Sequence, residues 1–142
     1  MHLDGFLSYP SAVYTVPYGV MVPKEVGNLL LPVPVSGSHI GFSTLRMEPC
    51  WMAMGQAAGI ASALSIDGKV KVQNIDLSRL QDKLVDQKAT LMYFKDVDYT
   101  SPHFRMVQYL GLRGYLPEWT ARLQEPVDMA TLTCLLYTSD AA

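Results

Sequence analysis

The sequence predicts an α/β fold, and three features of its first half indicate it. The run from Leu29 to Val35 is apolar on both faces, as in a strand buried between the layers of a parallel sheet. A loop containing glycine and serine follows at Ser36–Ser38, and a long helix of small residues is predicted from Glu48. A strand, a loop and a helix in this order form the basic unit of an α/β domain.

Prolines limit the predicted strands. A first short strand is expected to end near Pro17, where the alternating pattern that begins at Tyr14 breaks. Within the run from Leu29 to Val35, Pro32 and Pro34 have no N–H to donate to a neighbouring strand. Regular pairing is therefore expected to stop early in this second strand.

The long helix has clear start and stop signals. It is expected to begin at Glu48, because a proline is tolerated in the first turn of a helix and Pro49 stands there. It should run to about Ser65 and end at Asp67-Gly68, since glycine commonly follows the last turn.

Two further helices are predicted after it. Asp76 is suited to cap the first of them, and Ile75 and Leu80 have the spacing of a hydrophobic staple. This helix is amphipathic, with an apolar face of Leu77, Leu80, Leu84 and Leu91 and an outward face of Arg79, Asp82, Lys83 and Asp86. The last helix is predicted from a cap at Ser101-Pro102 through Leu110.

Composition excludes some classes of function. A net charge of −2 with 17% charged residues gives no basic surface for nucleic acid. The long helix is apolar on almost every face, which is typical of a helix inside a larger protein or a membrane. The run from Trp51 to Ile66 is shorter than the roughly 20 apolar residues that a span needs. We therefore expect a fragment of a larger soluble domain without a membrane partner, although Gly55 and Gly59 also have the spacing of paired membrane helices.

The residues between the predicted strand and the long helix are candidates for a ligand site. Ser36, Gly37 and Ser38 follow the strand, where an open α/β sheet binds its ligands, and we expect Gly37 to need an unusual backbone conformation or a close approach. Histidine titrates near neutral pH, so His39 is able to move a proton. Arg46 is able to hold an anion. The structural alternatives are an ordinary turn for Ser36–Ser38, a structural histidine, and an ion pair of Arg46 with Glu48 or with a carboxylate of the sheet.

The start of the long helix offers a second set of candidates. The first N–H groups of a helix have no partner within it, and the helix dipole is positive at that end. Met47, Glu48 and Pro49 lie there, while Cys50 is expected to be a packing residue because no second cysteine or base accompanies it. His2, His39 and His103 lack the spacing of metal ligands, so no metal site is expected.

Four short motifs in this region, in order along the chain, resemble the C-terminal segment of FAD-dependent oxidoreductases with a glutathione-reductase-type FAD domain. They are Asn28-Leu29-Leu30, Ser36-Gly37-Ser38-His39, Ser43 to Pro49, and Met52 to Gly59. The resemblance implies a Rossmann-like domain, non-covalent FAD, and transfer of a hydride from a small organic substrate to flavin N5. It implies FAD contacts from Ser36, Gly37, Ser38, Met47, Glu48 and Pro49, and catalytic roles for His39 and Arg46.

The same resemblance implies a missing partner. The sequence lacks the G-x-G-x-x-G loop that binds the FAD pyrophosphate. We therefore expect the missing N-terminal part of the same domain to supply that loop, and the chain to be inactive alone. The rival interpretations are a non-catalytic interaction module and a membrane-associated helix pair.

Three regions are predicted along the chain. Residues 1–93 are assigned to the FAD-binding domain and residues 94–133 to a small, incomplete helical module. The pattern of that module loosely resembles surface-layer-homology modules. Residues 134–142 resemble a translated transposase-adapter sequence and are expected to be a sequencing artefact.

Overall fold

The computed structural model describes residues 12–116 and 118–133, and their regular structure is helical. The α-helices are α1 (His39–Leu45), α2 (Glu48–Gly68), α3 (Leu77–Asp86) and α4 (Phe104–Leu112), with 3₁₀ turns at Tyr18–Met21 and Val72–Asn74. Residues 129–133 are also helical. The chain divides into two compact units between Lys83 and Leu84. Residues 134–142, to which the adapter interpretation applies, lie outside the described residues.

The predicted α/β fold is wrong. Over residues 12–116 and 118–133, no residue is in a β-strand or a β-bridge. The predicted strand from Leu29 to Val35 is irregular, and so is the shorter one that was expected to end near Pro17. The predicted strand–loop–helix part of a Rossmann-like domain is therefore absent from the described residues.

The prolines explain how the apolar run is held without a sheet. The amides of Leu31 and Ser36 each donate to a carbonyl of the 3₁₀ turn Tyr18–Met21 at 2.8 Å. Pro32 and Pro34 lie between these two donors and have no N–H, so a continuous ladder of hydrogen bonds is not possible. An apolar run of this composition predicts burial correctly for Val35, but it does not by itself create the neighbouring strands that a sheet needs.

Helix α2 is the central element of the first unit. It begins at Glu48 with Pro49 in its first turn, as predicted, and ends at Gly68, close to the predicted stop. Lys69 follows in the left-handed conformation with φ of 52°. The inward side of α2 consists of Met54, Ala58, Ala61 and Leu64. The core cluster around it contains Met21, Val35, Leu45, Met54 and Ala58.

Side-chain hydrogen bonds fasten the two 3₁₀ turns of the first unit to each other and to the intervening chain. The Tyr18 hydroxyl donates to the Val72 carbonyl at 2.9 Å, and partial burial raises the pKa of Tyr18. The amide of Gln73 donates to the carbonyls of Pro23 and Val26 at 2.8 and 2.9 Å. These bonds fix the segment that leads into the candidate site.

Helix α3 begins as its sequence predicts. The Asp76 carboxylate accepts hydrogen bonds from the amides of Ser78 and Arg79 at 2.9 and 3.3 Å, which confirms the predicted cap. Ile75 and Leu80 are both buried, as the staple spacing requires. The helix ends at Asp86, so Leu91 lies beyond it and the predicted apolar face is shorter than expected.

In the second unit, a buried glutamine organises the chain around α4. Gln108 is fully buried; its side-chain oxygen accepts from the amides of Leu91 and Met92 at 2.8 Å each. Its nitrogen donates to the Met92 carbonyl at 2.7 Å. The predicted cap at Ser101 is wrong, because α4 begins at Phe104 and its N-cap His103 makes no capping side-chain bond. Ser101 instead accepts a hydrogen bond from the His103 amide at 3.2 Å.

An aspartate holds the end of the second unit. The Asp96 carboxylate accepts from the amides of Ala121 and Arg122 at 2.8 Å each. Desolvation alone acts to raise the pKa of Asp96, but the backbone hydrogen bonds and the Arg122 charge together hold it below its ordinary value of 3.8. The apolar core of this unit contains Phe94, Val97 and Val107.

Candidate functional site

The candidate site begins with a short helix that the sequence analysis did not predict. Ser38 caps α1, and its hydroxyl oxygen accepts a hydrogen bond from the Gly41 amide at 3.1 Å. Residues 39–45, for which no helix was predicted, are therefore helical. Ser38 was the available signal for the start of this helix, since serine is a preferred N-cap residue. Ser36, Gly37 and Ser38 are all exposed.

The backbone at Gly37 does not require glycine. Its φ is outside the left-handed region, so an unusual φ at this position was a wrong expectation. An added Cβ would meet the Phe42 amide nitrogen at 3.5 Å and the Leu45 side chain at 3.7 Å, which are ordinary contacts. Ser36, Gly37 and Ser38 are exposed, and close approach by a ligand from outside stays a prediction.

Both predicted catalytic residues lie on α1. His39 is its first residue and Arg46 is its C-cap, so they are seven positions apart. At about 3.6 residues per turn, positions i and i+7 share one face, and a rise of 1.5 Å per residue separates their Cα atoms by roughly 10 Å. Both side chains are exposed. The buried residue of α1 is Leu45, which provides its contact with the core.

Arg46 carries a charge with no protein partner in the described part of the chain. The ion pairs present there do not include Arg46, and no hydrogen bond involves its guanidinium group. The predicted structural alternative, an ion pair with Glu48, is therefore not formed. Glu48 lies in the first turn of α2, where the positive end of the helix dipole favours its carboxylate.

The N-terminus of α2 is open to a ligand. Met47 is its N-cap and makes no side-chain hydrogen bond to the first turn. Met47, Glu48 and Pro49 are exposed. Free N–H groups at such an end suit a carbonyl or anionic group of a cofactor. FAD offers groups of this kind, so the residues present fit it.

Helix α1 separates the two predicted cofactor-binding segments. Ser36–Ser38 lead into its N-terminus, and Met47–Pro49 follow its C-terminus. Seven helical residues are about 10 Å long, so one ligand that contacts both segments must extend along α1. A flavin ring system with its attached chain is long enough to do so.

Cys50 and Trp51, near the start of α2, were not given a site role in the sequence analysis. Cys50 is partly buried and its sulfur lies 3.9 Å from the Thr44 carbonyl oxygen, in agreement with a packing role. Trp51 packs on the core cluster, and its indole N–H is buried without a hydrogen-bond partner among the described residues. No motif in the sequence signalled this unpartnered donor.

A comparison with protein families identifies the chain. The model of a family described as FAD dependent oxidoreductase matches residues 3–84, which is more than half of the 142 residues. The match contains every predicted site residue. The chain belongs to the FAD-dependent oxidoreductase family, and its cofactor is FAD. Comparison with curated proteins and with solved structures gave no match.

Proposed function

We propose that this chain supplies the flavin-facing segment of an oxidoreductase that transfers a hydride from a small organic substrate to flavin N5. The observation that carries the proposal is the exposed surface of residues 36–49, which lies within the family match. It combines a helix end without a side-chain cap and an arginine that has no ion pair among the described residues. The relation to the glutathione-reductase type rests on the four sequence motifs and belongs to this proposal.

In this proposal, two segments hold the cofactor. Ser36, Gly37 and Ser38 approach it with small side chains, and Met47, Glu48 and Pro49 present the positive end of α2 to it. When bound, the flavin supplies the two-electron acceptor of the reaction. The α2 end favours negative charge beside it, because preorganised N–H groups stabilise charge that develops during a reaction.

Arg46 and His39 have the proposed catalytic roles. The Arg46 guanidinium supplies a fixed positive charge, since arginine stays protonated at all physiological pH values. The His39 imidazole supplies a group able to accept a substrate proton. Their position on one face of α1 allows both to reach a single bound substrate.

A further part of the same polypeptide is proposed to complete the domain. The outer face of α2 is apolar and open: Met52 is 74% exposed and Ile66 is 75% exposed. A Cβ added at Gly55 or Gly59 would meet no atom within 4 Å. We propose that the N-terminal part of the domain covers this face and brings the pyrophosphate-binding loop. The chain by itself is then expected to bind FAD weakly and to be inactive.

The first rival interpretation, a non-catalytic interaction module, applies to another part of the chain. The second unit lies almost entirely beyond the family match, so an interaction function of the residues after Phe94 is a separate proposal. Its exposed pair Tyr93 and Trp119, with ring centroids 6.4 Å apart, is the feature that favours such a function. Across residues 12–116 and 118–133, no helix combines the length and hydropathy needed to cross a membrane.

The cofactor contact is tested by adding bulk to the loop. Gly37→Val should fold normally, because its Cβ meets only ordinary contacts, but it should weaken FAD binding by about tenfold or more through overlap with the ligand. Gly19→Val is the control, since a Cβ there would meet no atom within 4 Å. FAD affinity is measured by titrating the apoprotein of the complete protein and following flavin fluorescence. Equal FAD affinity of the two variants would refute the assigned contact.

A further inference from the structure

The exposed face of α1 has a chemical character that points to a class of substrate. Counting from His39, positions i, i+3, i+4 and i+7 are His39, Phe42, Ser43 and Arg46, and these positions form one stripe of a helix. All four side chains are exposed. The stripe therefore has a proton-accepting group at one end, an aromatic ring near its middle and a cation at the other end.

The cation of this stripe has no acidic neighbour along the adjoining chain. Between Glu25 and Glu48 the sequence contains no aspartate or glutamate. Glu48 itself belongs to the first turn of α2 and does not pair with Arg46. An exposed arginine with this environment is complementary to a planar anion, because its guanidinium group binds a carboxylate through two parallel hydrogen bonds.

The surroundings of the cation are apolar. Phe42 is 37% exposed, and Met47 beside Arg46 is 49% exposed. Phe42 lies one helical turn before Arg46 on the stripe, and Met47 follows Arg46 directly in the sequence. A ligand that matches this surface needs an apolar body as well as a negative charge.

We propose that the α1 stripe binds a small organic carboxylate, with the carboxylate on Arg46 and the apolar body on Phe42. The rest of the substrate then extends toward His39, roughly 10 Å along the helix from Arg46 at the level of the Cα atoms. This inference rests on the proposed function for its place beside the flavin, and it adds the class of substrate. A surface that contacts only the cofactor or the rest of the domain would not need to select a carboxylate.

The test uses two probes of the same shape. Benzoate carries the carboxylate and the apolar ring, and benzamide is its neutral counterpart. Calorimetric titration of the complete, FAD-loaded protein should show benzoate binding about tenfold more tightly than benzamide, the preference expected of a charge-assisted pair. Arg46→Ala should abolish this preference, and Arg46→Lys should retain part of it. Phe42→Ala should weaken both probes by a similar factor.

The controls separate this inference from the proposed function. Arg79→Ala removes an exposed arginine of α3 and should leave the benzoate preference unchanged. Equal binding of benzoate and benzamide by the unaltered protein would overturn the inference, whatever the fate of the variants. If FAD remains bound in that case, the proposed function survives. Absence of FAD from the purified protein would instead remove the proposed function.

Discussion

Gln108 offers a sharp test of the two-unit organisation. We consider Gln108→Leu, which replaces the glutamine by an apolar side chain of similar size and so removes both polar atoms. The side chain is fully buried, and its oxygen is the acceptor for the amides of Leu91 and Met92. The substitution leaves these two amides without their partner and also leaves the Met92 carbonyl without its donor.

The expected cost follows from these three bonds. A buried N–H or carbonyl group that loses its partner costs about 1–3 kcal/mol. Water is able to reach part of the loop at residues 91 and 92, because both residues are only partly buried. We therefore expect a loss of about 3–4 kcal/mol in the free energy of unfolding of the second unit, at the lower end of the summed range of about 3–9 kcal/mol.

The assay is chemical denaturation combined with hydrogen exchange at the amides of Leu91 and Met92. Both amides should exchange faster in Gln108→Leu, and the second unit should unfold at lower denaturant concentration. FAD affinity should stay the same, because the family match ends at residue 84. Met106→Leu, on the exposed side of α4, is the control and should be neutral. Unchanged exchange at both amides would refute the role assigned to Gln108.

Three further predictions address the site, the open helix face and acid stability. Arg46→Ala in the complete protein should keep its melting temperature and bound FAD but slow anaerobic flavin reduction about 10²–10³-fold. His39→Ala should slow the same reaction because the proton acceptor is lost; stopped-flow bleaching at the unaltered rate would contradict both roles. Gly59→Ala should stabilise the isolated chain by up to about 1 kcal/mol through helix propensity. In the complete protein, Gly59→Leu should destabilise the fold by about 1–3 kcal/mol through overpacking. Melting curves with equal shifts in both contexts would place this face in solvent. The lowered pKa of Asp96 means that its stabilising contribution is complete above pH 3.8 and is lost as the pH falls through the lowered value; Asp96→Asn should therefore flatten the acid part of the stability–pH curve, and a curve of unaltered steepness would count against the hydrogen bonds assigned to it.

Local signals predicted the long helices well. The start of α2 at Glu48 and the cap of α3 at Asp76 depend on residues within one turn, so the sequence contains all the information needed. The predicted strands failed because a strand depends on hydrogen-bond partners elsewhere. Proline at positions 32 and 34 reduced those partners further, and the run from Leu29 to Val35 is irregular in the described structure.

Helix α1 was not predicted because the local signals for a helix are weak in its sequence. Gly41, Ser43 and Thr44 are weak helix formers, and one buried residue, Leu45, provides its core contact. No periodic apolar pattern therefore marks it. Its hydroxyl groups bond to its own backbone: Ser43 and Thr44 donate to the carbonyls of Ile40 and Gly41 at 2.5 and 3.0 Å.

The candidate site was accessible from sequence only as a set of motif residues. The motifs placed Ser36–Ser38, His39, Arg46 and Met47–Pro49 in one segment, and the family match covers that segment. They gave no sign that His39 and Arg46 share one face of a helix, or that Arg46 does not pair with Glu48. Both facts depend on the conformation of α1 and on the placement of Glu48 at the start of α2.

Residues 36–49 are proposed to face the bound flavin, and hydrogen exchange at their amides is the sharpest check of this placement. Amide exchange is measured by mass spectrometry on the complete protein with and without FAD. When FAD is bound, we expect slower exchange at the amides of Ser36–Ser38 and at the first turn of α2, with no change in the second unit. FAD binding that leaves exchange across residues 36–49 unaltered would contradict it.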